Sequence, residues 1–187
     1  MLKLPQPFIQ LQSSDDFKLN FESIQQLLIH LLDTPVIDVF HIGGTKQTQY
    51  VTEPIVDVLV TVKSLHDITS LDEKRLNYHR IYRLHNGYNK KVMMAQFQDM
   101  ISLKQIARLH IVEQNNQMLY DYLTVESLLT NDTDVIQTFE SFKKAALLEA
   151  NSIKDYEAQK QKWFQQLVQK HKKITHSLKM INLDIIM

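Results

Sequence analysis

At 187 residues, with 21 lysines and arginines against 21 aspartates and glutamates and no cysteine, the chain can bury its own core and carries no net charge. That balance removes the basic face that non-specific nucleic-acid binding needs, leaving Lys170 to Lys173 with His171 as a local basic stretch. The missing thiol removes disulfides, thiolate nucleophiles and cysteine-ligated zinc. The amino terminus, Met1-Leu2-Lys3-Leu4-Pro5, lacks the apolar run of a secretory signal, and nowhere do about eighteen apolar residues follow one another. A cytoplasmic protein without a membrane span is expected.

Residues 1–16 read as an irregular lead-in, with Pro5, Pro7 and the Ser13-Ser14-Asp15-Asp16 cluster, where Ser14 or Asp16 would cap the following helix. From Phe17 to Leu32 the apolar residues Phe17, Phe21, Ile24, Leu27, Leu28, Leu31 and Leu32 recur at three and four, one face of an amphipathic helix. Thr34-Pro35 stops it. Val36 to Ile42 and Pro54 to Val62 are short and rich in valine and isoleucine, as buried strands are. Alternation sends Ile55, Asp57, Leu59 and Thr61 to one face, and Val56, Val58, Val60 and Val62 to the other. Residues 65–79 predict a helix with a break, 78–84 a short strand, and Asn86-Gly87 a turn. Lys91 to Gln98 and Lys104 to Val112 predict a β-hairpin. Its second strand divides into Ala107, Leu109 and Ile111 on one side, and Ile106, Arg108, His110 and Val112 on the other. Helices are predicted near 117–129, 132–150 and 152–173, with Asn131-Asp132-Thr133-Asp134 as a cap. The apolar ending from Ile174 to Met187 would dock on the body or on a neighbour. Strands first and helices afterwards give an α+β fold, a mixed sheet covered by helices, in one domain over 1–187 with its core at about 20–173.

One pattern carries chemistry. Two of only three glycines stand together at Gly43-Gly44, before Thr45, and a lone carboxylate, Asp57, interrupts the apolar strand that follows. Adjacent glycines let backbone N–H groups approach a ligand with no Cβ in the way. An acid inside a β-branched strand is costly to desolvate without a partner. The two together suggest an anion-cradling turn beside a metal or base position. The structural alternative is a tight turn between strands, with Asp57 bonded to His110 or to backbone and His41 simply packed.

His41-Ile42-Gly43-Gly44-Thr45 and Glu53-Pro54-Ile55-Val56-Asp57-Val58-Leu59-Val60 resemble the GrpB family, in the nucleotidyltransferase-like superfamily. The family pattern reads roughly His-Ile-Gly-Ser-Thr, then Lys-Pro-Ile-Ile-Asp-Ile-Leu-Val. Arg108-Leu109-His110-Ile111 resembles its His-Leu-His-Val strand. Tyr122-Leu123, Lys143, and Tyr156 with Lys160 follow its C-terminal order. The resemblance covers about residues 20–173. It implies a nucleotidyltransferase-like fold that binds a nucleoside triphosphate with a divalent metal, Mg²⁺ or Mn²⁺, and transfers a nucleotidyl group to an acceptor that the sequence does not name. The alternative is a non-catalytic nucleotide-binding or regulatory module.

Residue by residue, the resemblance makes Asp57 and His110 the catalytic and metal-ligating pair. Gly43, Gly44, Thr45, Lys143, Tyr156 and Lys160 would be the nucleotide and phosphate contacts. An Asp-plus-His site would favour Mn²⁺ or Zn²⁺ over Mg²⁺. The chain departs from the superfamily's Asp-x-Asp at Leu59, and from the family's lysine at Glu53, which sets a negative charge near the turn. Arg108, at the family's first histidine, returns one positive charge. Trp163 and Phe164 read as helix-packing anchors.

Overall fold

The computed structural model describes residues 15–47, 50, 52–84 and 90–186, with backbone alone at 153, 154 and 176–186. Residues 1–14 of the lead-in expected over 1–16, and the Asn86-Gly87 turn, lie outside the described residues, and Asp15 and Asp16 are already helical.

Packing divides the described residues into two compact units, 15–122 and 123–186. The first is built on a five-stranded mixed sheet. Its strands are β1 (Val36–Ile42), β2 (Val56–Val62), β3 (Ile81–Leu84), β4 (Val92–Phe97) and β5 (Gln105–Glu113), in the order β1-β2-β5-β4-β3. The pair β2–β5 is parallel and the other neighbours are antiparallel. A parallel pair at the centre must be covered on both faces, which is why β2 reads as an almost unbroken apolar run. Val58 through Val62 are all fully buried. The polar member, Thr61, is satisfied across the strand: its hydroxyl donates to Asp38 Oδ2 at 3.1 Å and accepts from the Asp38 N–H at 3.0 Å.

One sheet face carries Val56, Val58, Val60 and Val62 with Ala107, Leu109 and Ile111, and helix α1 (Asp15–Ile29) lays Ile24 and Leu28 against it. The expected alternation therefore holds on both strands. Asp16 is not the cap: the helix already includes Asp15, and both acids sit in its first turn, where they favour the positive end of the helix dipole. The helix also stops short of the expected Leu32. Asp33 takes a left-handed φ of 50°, and the Thr34 hydroxyl donates to the Leu28 carbonyl at 2.9 Å. The broken helix over 65–79 resolves into a 3₁₀ turn (Leu65–Ser70) and α2 (Glu73–Tyr78), capped by Asp72.

The opposite face carries a smaller apolar cluster, Ile42, Leu59, Val112 and Leu119, flanked by Met118 and Tyr122 from the start of α3 (Gln117–Asn131).

The second unit is helical. Asp132 caps α4 (Thr133–Glu149) by accepting from the N–H groups of Asp134 and Val135. The following helix α5 (Ile153–Ile186) continues well past the expected 173, so the apolar ending is helical. Phe139 of α4 meets Trp163 and Phe164 of α5 at centroid distances of 4.7 and 5.1 Å, the packing role expected of that pair. No helix among the described residues is long and apolar enough to cross a membrane.

Candidate functional site

The site grows from the register of three strands. Asp57 stands across from Ile42 on β1 and from Arg108 on β5, and Leu59 stands across from Phe40 and His110. Period-two alternation puts all of these on the face away from α1. Gly43 follows Ile42 directly, so the turn leaves β1 beside Asp57. It has a φ of +78°, and a Cβ there would come within 3.1 Å of Asp57 Oδ2. The dihedral favours glycine, and any Cβ would make the carboxylate give way by a few tenths of an ångström.

Beyond Gly43 the turn closes on one carbonyl: the N–H groups of Lys46 and Gln47 both donate to the Gly43 oxygen at 3.1 Å. Gly44 is needed for a different reason. A Cβ there would lie 2.9 Å from Thr52 Cγ2, and closer still to Thr52 Oγ1 and Cβ. Thr52 therefore fills the volume that a side chain at position 44 would occupy. Its hydroxyl donates to Glu53 Oε2 at 3.3 Å, and Glu53 is buried. Thr45 is buried too, with its hydroxyl 2.9 Å from His41 Nε2. His41 stacks on Phe21 at 4.9 Å with an interplanar angle of 14°, a packed and hydrogen-bonded histidine.

Asp57 Oδ1 faces β5. It lies 3.4 Å from His110 Nε2 and 3.9 Å from Arg108 Nη1. The Asp57 side chain is 26% exposed against 12% for His110 and 11% for Arg108, so the carboxylate is the member that solvent reaches most readily. The other nitrogen of His110, Nδ1, lies 2.9 Å from the Tyr122 hydroxyl, and Lys91 Nζ donates to that hydroxyl at 3.1 Å. Burial pushes the imidazole below its ordinary 6.5; the Asp57 hydrogen bond and charge oppose this, and the positive charges of Lys91 and Arg108 add to it. At neutral pH His110 is uncharged.

Among the described residues, no group of three or more histidines, aspartates and glutamates comes together as a cage for a metal ion. Leu59, two residues on from Asp57 on the same strand face, is fully buried in the apolar cluster. Both ring nitrogens of His110 are engaged. What remains is one partly exposed carboxylate beside a turn. This donor set fits a hard cation held chiefly by phosphate and water, with Asp57 as its protein ligand.

Asp57, His110, Arg108 and Gly43 thus come together. Lys143, Tyr156 and Lys160 belong to the second unit. Lys143 is only 2% exposed, with Nζ 5.5 Å from the Phe139 ring centroid. Lys160 Nζ lies 5.2 Å from the ring centroid of the buried Tyr156 and donates to Glu157 Oε1 at 3.2 Å. These are embedded lysines, not the solvated ones of an ordinary amphipathic helix.

Sequence reasoning missed Lys91 and Thr52 and assigned no role to Tyr122. Lys91 had a usable signal: it shares the strand parity of Met93, which pairs with His110. Thr52 and Tyr122 reach the site through a connection and a helix, which no periodicity reports.

A family model described as GrpB protein matches residues 9–170. The chain belongs to the GrpB family. The glutamate-rich protein GrpB of Alkalihalophilus pseudofirmus is 28% identical over 132 residues, 70% of this chain and 76% of that one. The crystal structure of the conserved protein GrpB from Enterococcus faecalis superposes with a TM-score of 0.67 at 21% identity, over 91% of this chain and 99% of that one, and shows that the two share a fold. Part of the GrpB-family fold also overlays, loosely, on the Cid1 poly(U) polymerase (TM-score 0.46, 12% identity, 67% of this chain and 38% of that one). An overlay that loose says nothing of this chain's chemistry.

Proposed function

We propose that this GrpB-family chain binds a nucleoside triphosphate together with Mg²⁺ or Mn²⁺ on the sheet face that carries Asp57, and that it works as a nucleotide-binding module. One observation carries the reading: the partly exposed Asp57 carboxylate abuts the left-handed Gly43 turn, with Oδ2 3.1 Å from where a Cβ would stand. A carboxylate beside a phosphate cradle repels the phosphate unless a cation stands between them. When bound, the metal would neutralise that charge, with Asp57 as its protein ligand and phosphate oxygens and water completing the shell. Arg108 supplies a fixed positive charge on the neighbouring strand. A cytoplasmic setting, where such nucleotides are present, goes with this reading.

Transfer of a nucleotidyl group to an acceptor is the second reading, favoured by the contact between Asp57 and a neutral His110. The apolar burial of Leu59 weighs against it, because two-carboxylate metal binding has no second acid on that strand face.

The test is calorimetric titration with ATP, GTP, CTP and UTP, with and without Mg²⁺ or Mn²⁺. Binding of at least one nucleotide is expected, dependent on metal, and weakened about tenfold or more in Asp57→Asn. No heat with any nucleotide overturns the reading, as does unchanged affinity in Asp57→Asn. Release of pyrophosphate on addition of an acceptor would promote the second reading over the first.

A further inference from the structure

The loop that joins β4 to β5 has its polar groups turned inward and its apolar ones turned out. Asp99 accepts from the Ser102 hydroxyl at 2.6 Å, from the Ser102 N–H at 2.7 Å and from the Ile101 N–H at 2.9 Å. Those bonds, the hydroxyl's first, hold its carboxyl below the ordinary carboxylate range. The Ser102 hydroxyl oxygen accepts from the Lys104 N–H at 3.2 Å, and the Gln98 N–H closes the base of the loop on the Lys104 carbonyl at 2.8 Å. Outside this scaffold Met100 and Leu103 are exposed, and Ile101, between them, is 97% exposed. Leu103 has a left-handed φ of 50°, an unfavourable state for a leucine, and gains little burial by it. Backbone strain at an exposed apolar residue points to a contact outside the chain.

The end of α2 lies against the same loop. The Gln96 side chain donates to the His79 carbonyl at 3.2 Å, the Phe97 N–H to the Arg80 carbonyl at 3.0 Å, and Arg80 Nη1 to the Gln98 carbonyl. Tyr78 is exposed and stands edge-on to His79, with Arg75 one helical turn before it. Lys74, Arg75 and Lys104 are exposed and enter no ion pair among the described residues. Of the acids beside them, Glu73 pairs with Arg83, Asp72 caps α2, and Asp99 faces the charge of Arg80. The corner is therefore net positive, in a chain that has no net charge.

We propose that this corner docks on an anionic lipid bilayer: Met100, Ile101 and Leu103 enter the interface, while Tyr78, Arg75 and Lys104 meet the headgroups. An almost wholly exposed isoleucine offers a protruding side chain, which suits a soft apolar phase that it can sink into. The phenol and the cations behind it match the headgroup layer, where tyrosines collect and anionic lipids attract lysine and arginine. The N–H groups of Gln98, Ile101, Ser102 and Lys104 are already bonded within the loop, so they need not be stripped of water as the tip leaves it. Apolar tip and basic rim together give reversible binding of the kind that neither signal supplies alone. Nothing in this depends on the nucleotide reading.

The test uses the full chain and vesicles of phosphatidylcholine with and without phosphatidylserine. Co-sedimentation of the wild type should need phosphatidylserine and weaken in high salt. Ile101→Ser should lower the partition coefficient about tenfold, and Lys104→Gln about fivefold, with urea midpoints unchanged because both side chains are exposed. The chain has no cysteine, so a single introduced one can carry an environment-sensitive dye. On phosphatidylserine vesicles a dye on Ile101→Cys should shift to the blue. One on Leu32→Cys, exposed and before the start of β1 at the opposite end of the sheet, should not. Absence of binding to phosphatidylserine vesicles overturns the proposal, as does binding that Ile101→Ser leaves unchanged, or a dye at position 32 that shifts as far as one at 101. A wild type that ignores vesicles but forms a dimer lost in Ile101→Ser also overturns it, and assigns the tip to a second copy of the chain.

Discussion

Replacing Gly44 by alanine should damage the fold out of proportion to one methyl group. The added Cβ would stand 2.9 Å from Thr52 Cγ2 and nearer still to Thr52 Oγ1 and Cβ. Rotating the threonine moves Oγ1 and Cγ2 aside but cannot move Cβ, which is bonded to the backbone, so the connection before β2 must shift. Overpacking of this kind costs about 1–3 kcal/mol, and an immovable neighbour puts Gly44→Ala near about 3 kcal/mol. With a urea slope of about 2 kcal/mol per molar, the midpoint should fall by about 1.5 M. Thr52→Gly deletes every clashing atom. Alone it costs about 1 kcal/mol in chain entropy and about 1 kcal/mol for the hydrogen bond to Glu53. The double variant Gly44→Ala/Thr52→Gly, freed of the clash, should therefore cost only about 2 kcal/mol and be more stable than Gly44→Ala, a favourable coupling of about 3 kcal/mol. Gly44→Ala/Thr52→Ala keeps the Cβ and should recover little. A Gly44→Ala midpoint within about 0.5 kcal/mol of wild type, or additive behaviour in the double variant, would refute the interlock.

Gly43→Ala should cost about 1–2 kcal/mol from the left-handed dihedral alone, and should also press on Asp57 Oδ2, so its loss of stability should shrink when combined with Asp57→Ala in urea titrations. Placing a second acid beside Asp57 through Leu59→Asp should not create a metal site: it removes a buried leucine worth about 2–5 kcal/mol and buries a charge, and a well-folded variant with tight Mg²⁺ binding would show this to be wrong. Phe139→Ala should destabilise the helical unit by about 3–5 kcal/mol, followed by the fluorescence of Trp163, the only tryptophan, which Phe139 contacts. Stability should also fall on acidification below 6.5: the unfolded chain takes up a proton at His110 near that pH, whereas the fold, with its imidazole held lower, resists until its own pKa is reached. The loss should be absent above 6.5 and level off below the folded value. Urea midpoints of wild type and His110→Gln across that range isolate it, and a wild type that gains stability relative to the variant on acidification would contradict it.

The sheet was legible because its signals are local. Valine-rich runs bounded by Pro35 and Pro54, and clean alternation in β5, put the right residues on the right faces. They also put Asp57 and the Gly43 turn next to each other, through the pairing of Ile42 with Asp57. The helix ends were less legible. The apolar period runs on through Leu31 and Leu32, but the left-handed Asp33 and the Thr34 cap compete for the last turn and win. The partners of His110 were the least visible. Tyr122 lies a strand end and a helix start away, and Lys91 carries no mark except its parity. A contact of this kind depends on where two elements meet, and a linear pattern does not record that.

The two halves of the site differ in how readily their amides should meet water. Asp57 belongs to a strand hydrogen-bonded on both sides, whose later residues are wholly buried, whereas in the glycine turn the N–H groups of Lys46 and Gln47 share the carbonyl of Gly43. Native-state hydrogen exchange should therefore run slowest along β2, near the limit set by global unfolding, and faster at the exposed Lys46. A ligand seated there would find its acid fixed and its cradle compliant. Its arrival should be read as new protection in the turn, with little change in the strand.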